Sequence, residues 1–115
     1  MSPMELTKYM GMADRFYVVA EIDGRVRGMI MMRHNNYVGQ FFVDQAHQGQ
    51  GMGSALWRFA LAQARHLGST GEFTVNSSLA AVPVYSRFGF VEAGAPEVAN
   101  GFKFIPMRRE ADHAA

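Results

Sequence analysis

The sequence predicts an α/β fold in which a mixed, largely antiparallel sheet carries a central βαβ crossover and flanking helices. Three observations lead to this prediction. Strand-like segments joined by short turns fill residues 16–43. A segment with helical periodicity follows at residues 53–67, and another strand-like segment comes directly after it at residues 72–76. An antiparallel start that passes into strand, helix and strand is typical of a mixed sheet.

The first half of the chain consists mainly of predicted strands. Residues 1–13 are rich in methionine and weakly favour a helix. Residues 16–22 and 26–32 are dense in β-branched, aromatic and other apolar side chains, with Asp23-Gly24 between them. Asp-Gly favours a two-residue hairpin because both turn positions need a positive φ. Residues 37–43 complete a predicted antiparallel meander of three strands.

The second half alternates between helix and strand. Apolar residues recur at helical spacing across residues 53–67, and Gly68 is placed to end this helix. Pro83 suits the first turn of a second helix, where its missing N–H is harmless. The remaining predicted elements are a strand at 72–76, the second helix at 81–88, and two final antiparallel strands at 90–93 and 102–108.

Length and composition limit the classes of protein that this chain can belong to. With 115 residues, we expect a single domain over residues 1–115. A formal net charge of +1 offers no electrostatic footprint for nucleic acid or an anionic membrane. The sequence contains no cysteine, which excludes disulfides, thiolate metal sites and a cysteine nucleophile.

Metal sites and targeting segments are not predicted either. The four histidines, His34, His47, His66 and His113, are not spaced as ligands on one helical face, so we expect no metal. No run of about 20 apolar residues is present that would span a bilayer, and the first residues lack the pattern of a signal peptide. We therefore expect a soluble cytoplasmic protein.

The glycine-rich segment at residues 48–53 has the composition of a phosphate-binding loop. It leaves a strand and opens a helix, whose first N–H groups are unpaired and carry about half a positive charge. Glycines at positions 49, 51 and 53 let an anion approach those N–H groups. The segment lacks the lysine of a P-loop, and Ser54 stands where a dinucleotide-binding loop has its third glycine. A glycine turn with no ligand remains an alternative.

Two blocks of sequence together resemble one family. Phe-Phe-Val-Asp at residues 41–44, followed by Gln48-x-x-Gly51-x-Gly53, is similar to motif A of the GNAT superfamily of N-acetyltransferases. Residues 75–90 resemble the second block of that family, in which an asparagine ends a strand, a tyrosine lies mid-helix and Gly-Phe closes the helix. The resemblance covers about residues 16–108.

This resemblance implies a coenzyme A site and assigns roles to its residues. It implies acetyl-CoA as co-substrate, no metal, and transfer of the acetyl group by direct attack of a primary amine on a small molecule or protein. Asn76 and the start of the second helix would line one wall, and Tyr85 would point at the sulfur as the catalytic donor. The pantetheine arm would pair with the backbone of Phe41, Phe42 and Val43, and the pyrophosphate would lie on the backbone of Gln48, Gly49, Gln50, Gly51, Met52, Gly53 and Ser54.

The chemistry also requires a group that removes a proton from the acceptor amine. A free amine with a pKa near 10.4 is protonated at pH 7, which costs about 4.6 kcal/mol to reverse. A backbone N–H near Val43 would stabilise the charge on the carbonyl oxygen. The sequence does not single out a base, because Glu21, Glu72, His34, Asp44 or a water molecule could each serve.

The chain departs from the family pattern at its front. Family members usually carry a strand and two helices before the hairpin, and only about 15 residues precede Phe16 here. An open acceptor site, a start that lies upstream, or a wall supplied by a second subunit would each account for this. We hypothesise a homodimer, also because Met-rich residues 29–32 would benefit from cover. The alternative function is a non-catalytic acyl-CoA-binding or regulatory module that has lost its acceptor site.

Overall fold

A computed structural model of the chain describes residues 3–111, so His113 lies outside the described residues. A 3-10 turn (Gln45–His47) precedes the first long helix. The strands and helices are β1 (Glu5–Met10), β2 (Arg15–Ile22), β3 (Arg25–Arg33), β4 (Tyr37–Val43), α1 (Met52–His66), β5 (Phe73–Ser77), α2 (Val82–Arg87), β6 (Val91–Glu92), β7 (Glu97–Ala99) and β8 (Phe102–Arg109).

The described strands form a mixed sheet in which most pairs are antiparallel. The sheet has the order β1-β2-β3-β4-β5-β8-β6, and β7 pairs with β8 at the side. β4 and β5 are the parallel pair, and α1 connects them. The predicted fold class, with its central βαβ crossover, is therefore confirmed.

The hairpin between β2 and β3 forms as its turn residues predict. Asp23 has a φ of 55° and Gly24 a φ of 74°, so both turn residues have a left-handed backbone. α1 begins and ends within about one residue of the predicted helix. In the described part of the chain, neither helix has the length and apolar character needed to cross a bilayer.

Two strands differ from the sequence prediction. The expected weak helix at residues 1–13 is wrong, because Glu5–Met10 forms β1 and pairs with β2 along its whole length, from Glu5 opposite Glu21 to Met10 opposite Phe16. β1 and β2 are joined by the short connection 11–14, and the sheet hydrogen bonds between them outweigh a weak local preference for helix. β7 was not predicted, although Asn100 (φ 52°) and Gly101 (φ 78°) form a positive-φ turn between β7 and β8.

The core lies between α1 and one face of the sheet. Phe16, Val18 and Ile30 on the strands are fully buried with Leu56 and Ala60 of α1, at the spacings of alternate strand positions and of helix turns. α1 approaches β3 closely, since a Cβ added to Gly28 would lie 3.0 Å from Leu56 Cδ1. Burial of this face fixes the position of the first turn of α1 beside the end of β4.

Aromatic contacts bring α2 to the same side of the sheet. The ring of Trp57 in α1 stacks on Phe88, at the end of α2, with centroids 5.3 Å apart. Phe41 of β4 stacks on Phe88 at 5.9 Å and meets Tyr85 edge to face at 6.0 Å. These contacts hold β4, α1 and α2 around one cleft.

The second face of the sheet is not covered by either described helix. We call the outward residues of β2, β3 and β4 the open sheet face, because strand alternation points them away from α1; they are Tyr17, Val19, Met29, Met31 and Phe42. Phe42 is 50% exposed, whereas Met31 is only 6% exposed. Within residues 29–32, Met31 and Met32 are therefore already buried in the monomer, whereas Met29 is only partly buried.

Candidate functional site

A cleft of about 570 Å³ lies between the end of β4, the glycine-rich loop and α2. Nine of the site residues predicted from sequence line it: Phe41, Phe42, Val43, Gln48, Gly49, Gly51, Gly53, Ser54 and Tyr85. Segments far apart in sequence therefore meet at one concavity, which is the form that a small-molecule site takes.

The cleft opens where β4 and β5 separate. These strands pair only at Tyr37 with Thr74 and at Val38 with Val75. Beyond Val38, the edge of β4 that faces β5 has no paired strand among the described residues, up to the end of β4 at Val43. An unpaired strand edge offers N–H and C=O groups to an extended amide-containing ligand.

The loop geometry explains two of its glycines. Gly49 has a φ of 77°, and Gly51, which is the N-cap of α1, has a φ of 86°. A side chain at either position would be strained, since L-residues rarely adopt this backbone conformation. Gly53 serves differently, because a Cβ there would lie 3.7 Å from the side chains of Phe41 and Val43 and would narrow the cleft.

The N-terminus of α1 has the features that favour an anion. No side chain caps the helix, and its first turn contains no acidic residue. The first hydrogen bond within the helix runs from the Ala55 N–H to the Gly51 carbonyl, at 3.0 Å. The N–H groups of the preceding residues are thus directed toward the loop, together with the positive end of the helix dipole.

Polar side chains hold the loop in place. Gln48 Nε2 donates to the Val43 carbonyl at 3.0 Å, and Gln50 Nε2 donates to the Ala46 carbonyl at 3.3 Å. Asp44 caps the 3-10 turn by accepting from the Ala46 N–H at 3.4 Å, and it pairs with Arg27 at 3.1 Å. The loop is therefore held at the end of β4 before any ligand arrives.

Tyr85 lies in the wall of the cleft with its hydroxyl free. The residue is 7% exposed, and its ring packs against Phe41 and Phe90. Its hydroxyl has no hydrogen-bond partner within residues 3–111. Burial, with a smaller effect of the nearby Tyr37, raises the pKa of Tyr85 to about 12. The hydroxyl therefore stays protonated at neutral pH and can donate a hydrogen bond to a ligand.

Three predicted cofactor residues do not line the cleft with their side chains. The Met52 side chain is buried in the core, where its sulfur would lie 3.0 Å from a Cβ added to Gly28, so only its backbone can contribute. Gln50 is occupied with the Ala46 carbonyl. Asn76 Nδ2 donates to the Tyr37 hydroxyl at 3.5 Å, beside the point where β4 and β5 separate.

The four candidate bases all lie outside the residues that line the cleft. Glu72 pairs with Arg108 at 3.2 Å, and His34 lies 3.6 Å from Asp14. Glu21 lies opposite Glu5 in the sheet. The hydrogen bond from the Ala46 N–H has the largest effect on the pKa of Asp44, and it lowers that pKa. Burial opposes it less strongly, and Arg27 lowers the pKa further. Asp44 is therefore a weak base.

The start of α2 lines the cleft, as the resemblance implies, and the wall also extends along α2 beyond that prediction. Ser78, Ala80, Ala81, Val84, Arg87 and Phe88 also line the cleft. The helical spacing could have indicated two of these residues, because Val84 and Arg87 are three residues apart and flank Tyr85 on the same helix. In the described part of the chain, no group of three or more His, Cys, Asp or Glu side chains is arranged to hold a metal ion.

Comparisons with known proteins agree with this geometry. The family model described as an acetyltransferase (GNAT) domain matches residues 1–111. No curated protein matches the chain significantly by sequence.

Several solved structures share the fold. An acyl-CoA N-acyltransferase from Pseudomonas aeruginosa superposes with a TM-score of 0.72 at 23% identity, over 85% of this chain and 70% of that one. A protein from Bacillus anthracis, assigned as a streptothricin acetyltransferase and solved with acetyl coenzyme A, gives 0.75 at 20% identity, over 90% and 66%. A GCN5-related N-acetyltransferase from Rhodopseudomonas palustris gives 0.73 at 18% identity, over 83% and 61%. The chain thus spans about two thirds of the length of these proteins.

Proposed function

The chain belongs to the GNAT acetyltransferase family, and on that premise we propose that it transfers an acetyl group from acetyl-CoA to a primary amine of a small molecule or protein. One observation carries the proposal. A single cleft has an anion-binding helix N-terminus at the loop and the unpaired hydroxyl of buried Tyr85 in its opposite wall. The helix N-terminus would bind the phosphates of a phosphorylated thioester, and the hydroxyl would donate a hydrogen bond to its leaving sulfur.

The main chain would bind and orient the donor. The loop N–H groups at the start of α1 hold the pyrophosphate without a metal. The unpaired edge of β4 up to Val43 takes the amide-containing pantetheine arm as an added strand. This places the thioester between the end of β4 and Tyr85, so a backbone N–H near Val43 stabilises the oxygen that gains charge as the amine attacks.

Tyr85 would act on the leaving group. The amine nitrogen forms a bond to the carbonyl carbon, the carbon–sulfur bond breaks, and the sulfur departs as a thiolate. The Tyr85 hydroxyl donates a hydrogen bond to that sulfur. The amine proton leaves to solvent, since no carboxylate or imidazole is among the described residues that line the cleft.

An assay of thiol release tests the proposal. Purified protein is incubated with acetyl-CoA and a panel of amines, including lysine-containing peptides, and free thiol is measured for the wild type and Tyr85→Phe. Amine-dependent release that falls in the variant supports an N-acetyltransferase. Tight binding of coenzyme A with no turnover on any amine would instead indicate the non-catalytic module, which family membership does not favour.

We also propose that two copies associate through the open sheet face. The support for this association is the half-exposed Phe42 beside the partly buried Met29, on a face that neither described helix covers. Light scattering should give twice the monomer mass of 12.8 kDa. Met29→Lys should yield the monomer, whereas the control Val98→Lys, at an exposed position of β7, should not. A wild-type monomer at micromolar concentration contradicts the dimer.

The location of the protein is a further proposal. We propose the cytoplasm, supported by the cysteine-free sequence and by the proposed use of acetyl-CoA. Detection of the protein by antibody in membrane or secreted fractions of the source cells, and not in the soluble fraction, would contradict it.

A further inference from the structure

Among the described residues that line the cleft, Arg87 is the only one with a charged side chain. It lies at the end of α2, on the wall opposite the glycine-rich loop. The residue is exposed, and its guanidinium forms no ion pair or hydrogen bond within residues 3–111. A cation at a cleft with nothing to neutralise it is available to an anionic ligand.

The helix spacing of α2 separates an inner and an outer row of lining residues. Ala81, Tyr85 and Phe88 follow each other at intervals of four and three and face the aromatic core. Val84 and Arg87, three residues apart, form the outer row at the rim of the cleft. A ligand whose thioester reaches the buried Tyr85 extends outward from the inner row, and Arg87 lies on the exposed side where its nucleotide end would pass.

The charge of coenzyme A exceeds what the loop supplies. The residues from Gln48 to Ser54 contain no lysine or arginine, so they offer backbone N–H groups and about half a charge from the helix dipole. That suits the pyrophosphate. Coenzyme A also carries a phosphate monoester on its ribose, with a charge of about −1.5 to −2 at pH 7, as phosphate monoesters have. The loop leaves this second charge unmatched.

We infer that Arg87 binds the 3′-phosphate of coenzyme A and thereby makes the protein select coenzyme A over 3′-dephospho-coenzyme A. The inference rests on the proposed function, because it needs the thioester at Tyr85 and the pyrophosphate at the loop. Arg87 is in this role a specificity-determining residue, remote from the reacting atoms. A guanidinium on a phosphate at a solvated rim should favour coenzyme A about tenfold.

Calorimetric titration with the two coenzymes tests the inference. The wild type should bind coenzyme A about tenfold more tightly than 3′-dephospho-coenzyme A. Arg87→Gln should bind both with the affinity that the wild type has for the dephospho form, so the ratio should fall to about one. Arg58→Gln is the matched control, because Arg58 is an exposed arginine of α1 that does not line the cleft.

The outcomes separate this inference from the proposed function. A wild type that binds both coenzymes equally overturns the role of Arg87 and leaves the acetyltransferase intact. If Arg87→Gln weakens both coenzymes by the same factor, Arg87 binds the pyrophosphate, and the selectivity assignment is wrong. If the wild type binds neither coenzyme, the proposed function itself fails. An unchanged melting temperature in Arg87→Gln is expected, since its side chain is exposed.

Discussion

Replacing Tyr85 by phenylalanine removes one hydroxyl and keeps the ring that packs against Phe41 and Phe90. The hydroxyl has no hydrogen-bond partner in the described structure, so the free energy of unfolding at pH 7 should change by less than about 1 kcal/mol. Any loss of activity then reports on the reaction and not on folding.

The size of the expected loss follows from the pKa of Tyr85. Because burial raises that pKa to about 12, full proton transfer to a thiolate whose acid has a pKa near 8.5 would be uphill by about 4.8 kcal/mol. Tyr85 should therefore act by donating a hydrogen bond to the sulfur. A hydrogen bond to a charged group is worth about 1.5–3 kcal/mol, which corresponds to a fall in kcat of roughly 10- to 150-fold.

Steady-state thiol release at saturating amine measures this effect. The KM for acetyl-CoA should change by less than about threefold, because the hydrogen bond forms mainly as the sulfur gains charge. Tyr9→Phe is the control, since Tyr9 lies on β1 and does not line the cleft. A Tyr85→Phe enzyme with wild-type kcat, while chemistry limits the rate, would refute the assigned role.

Three other predictions concern the loop and the titratable groups. Gly51→Ala should cost about 1–2 kcal/mol of stability because of its φ of 86°, and should weaken coenzyme A binding at least about tenfold by calorimetry, whereas Gly94→Ala should do neither. The raised pKa of Tyr85 stabilises the fold below about pH 10, and this stability is lost as the pH rises toward 12. Chemical denaturation should show the wild type losing roughly 2–3 kcal/mol more than Tyr85→Phe across that range. The lowered pKa of Asp44 stabilises the fold above pH 3.8, and this stability is lost at lower pH. Asp44→Asn should therefore melt with a weaker acid dependence below pH 5, while kcat stays within about threefold if Asp44 is not the base.

The elements predicted well from sequence are those whose cause is local. The hairpin at Asp23-Gly24 forms because those two residues tolerate a positive φ, and α1 forms because its apolar residues recur at helical spacing. β1 was not predicted because residues 5–10 have only a weak local preference, and pairing with β2 across the short connection 11–14 makes them a strand. The Asn100-Gly101 turn, with a positive φ at both residues, is the local sequence feature that accompanies β7.

The candidate site also has features that local sequence predicts and features that depend on packing. The order of the loop, Asn76 and Tyr85 along the chain led to the predicted coenzyme A site, and nine of its predicted residues line one cleft, while their roles stay predictions. Beyond the start of α2, the wall that includes Val84 and Arg87 was not predicted, because the residues of a short helix that face a cleft depend on how that helix packs. The four candidate bases could not be ranked by sequence, and the structure places each outside the cleft lining among the described residues.

The sequence by itself determined the features that depend on residue type and spacing. These are the glycine loop at the start of a helix, the antiparallel meander before it, and the likeness to one family. The tertiary structure decided what depends on distance through space: the burial that raises the pKa of Tyr85, and the unpaired position of Arg87 at the rim of the cleft. The physical reason is that backbone preferences act over a few residues, whereas pKa values, charge pairing and cleft shape depend on neighbours that only folding brings together.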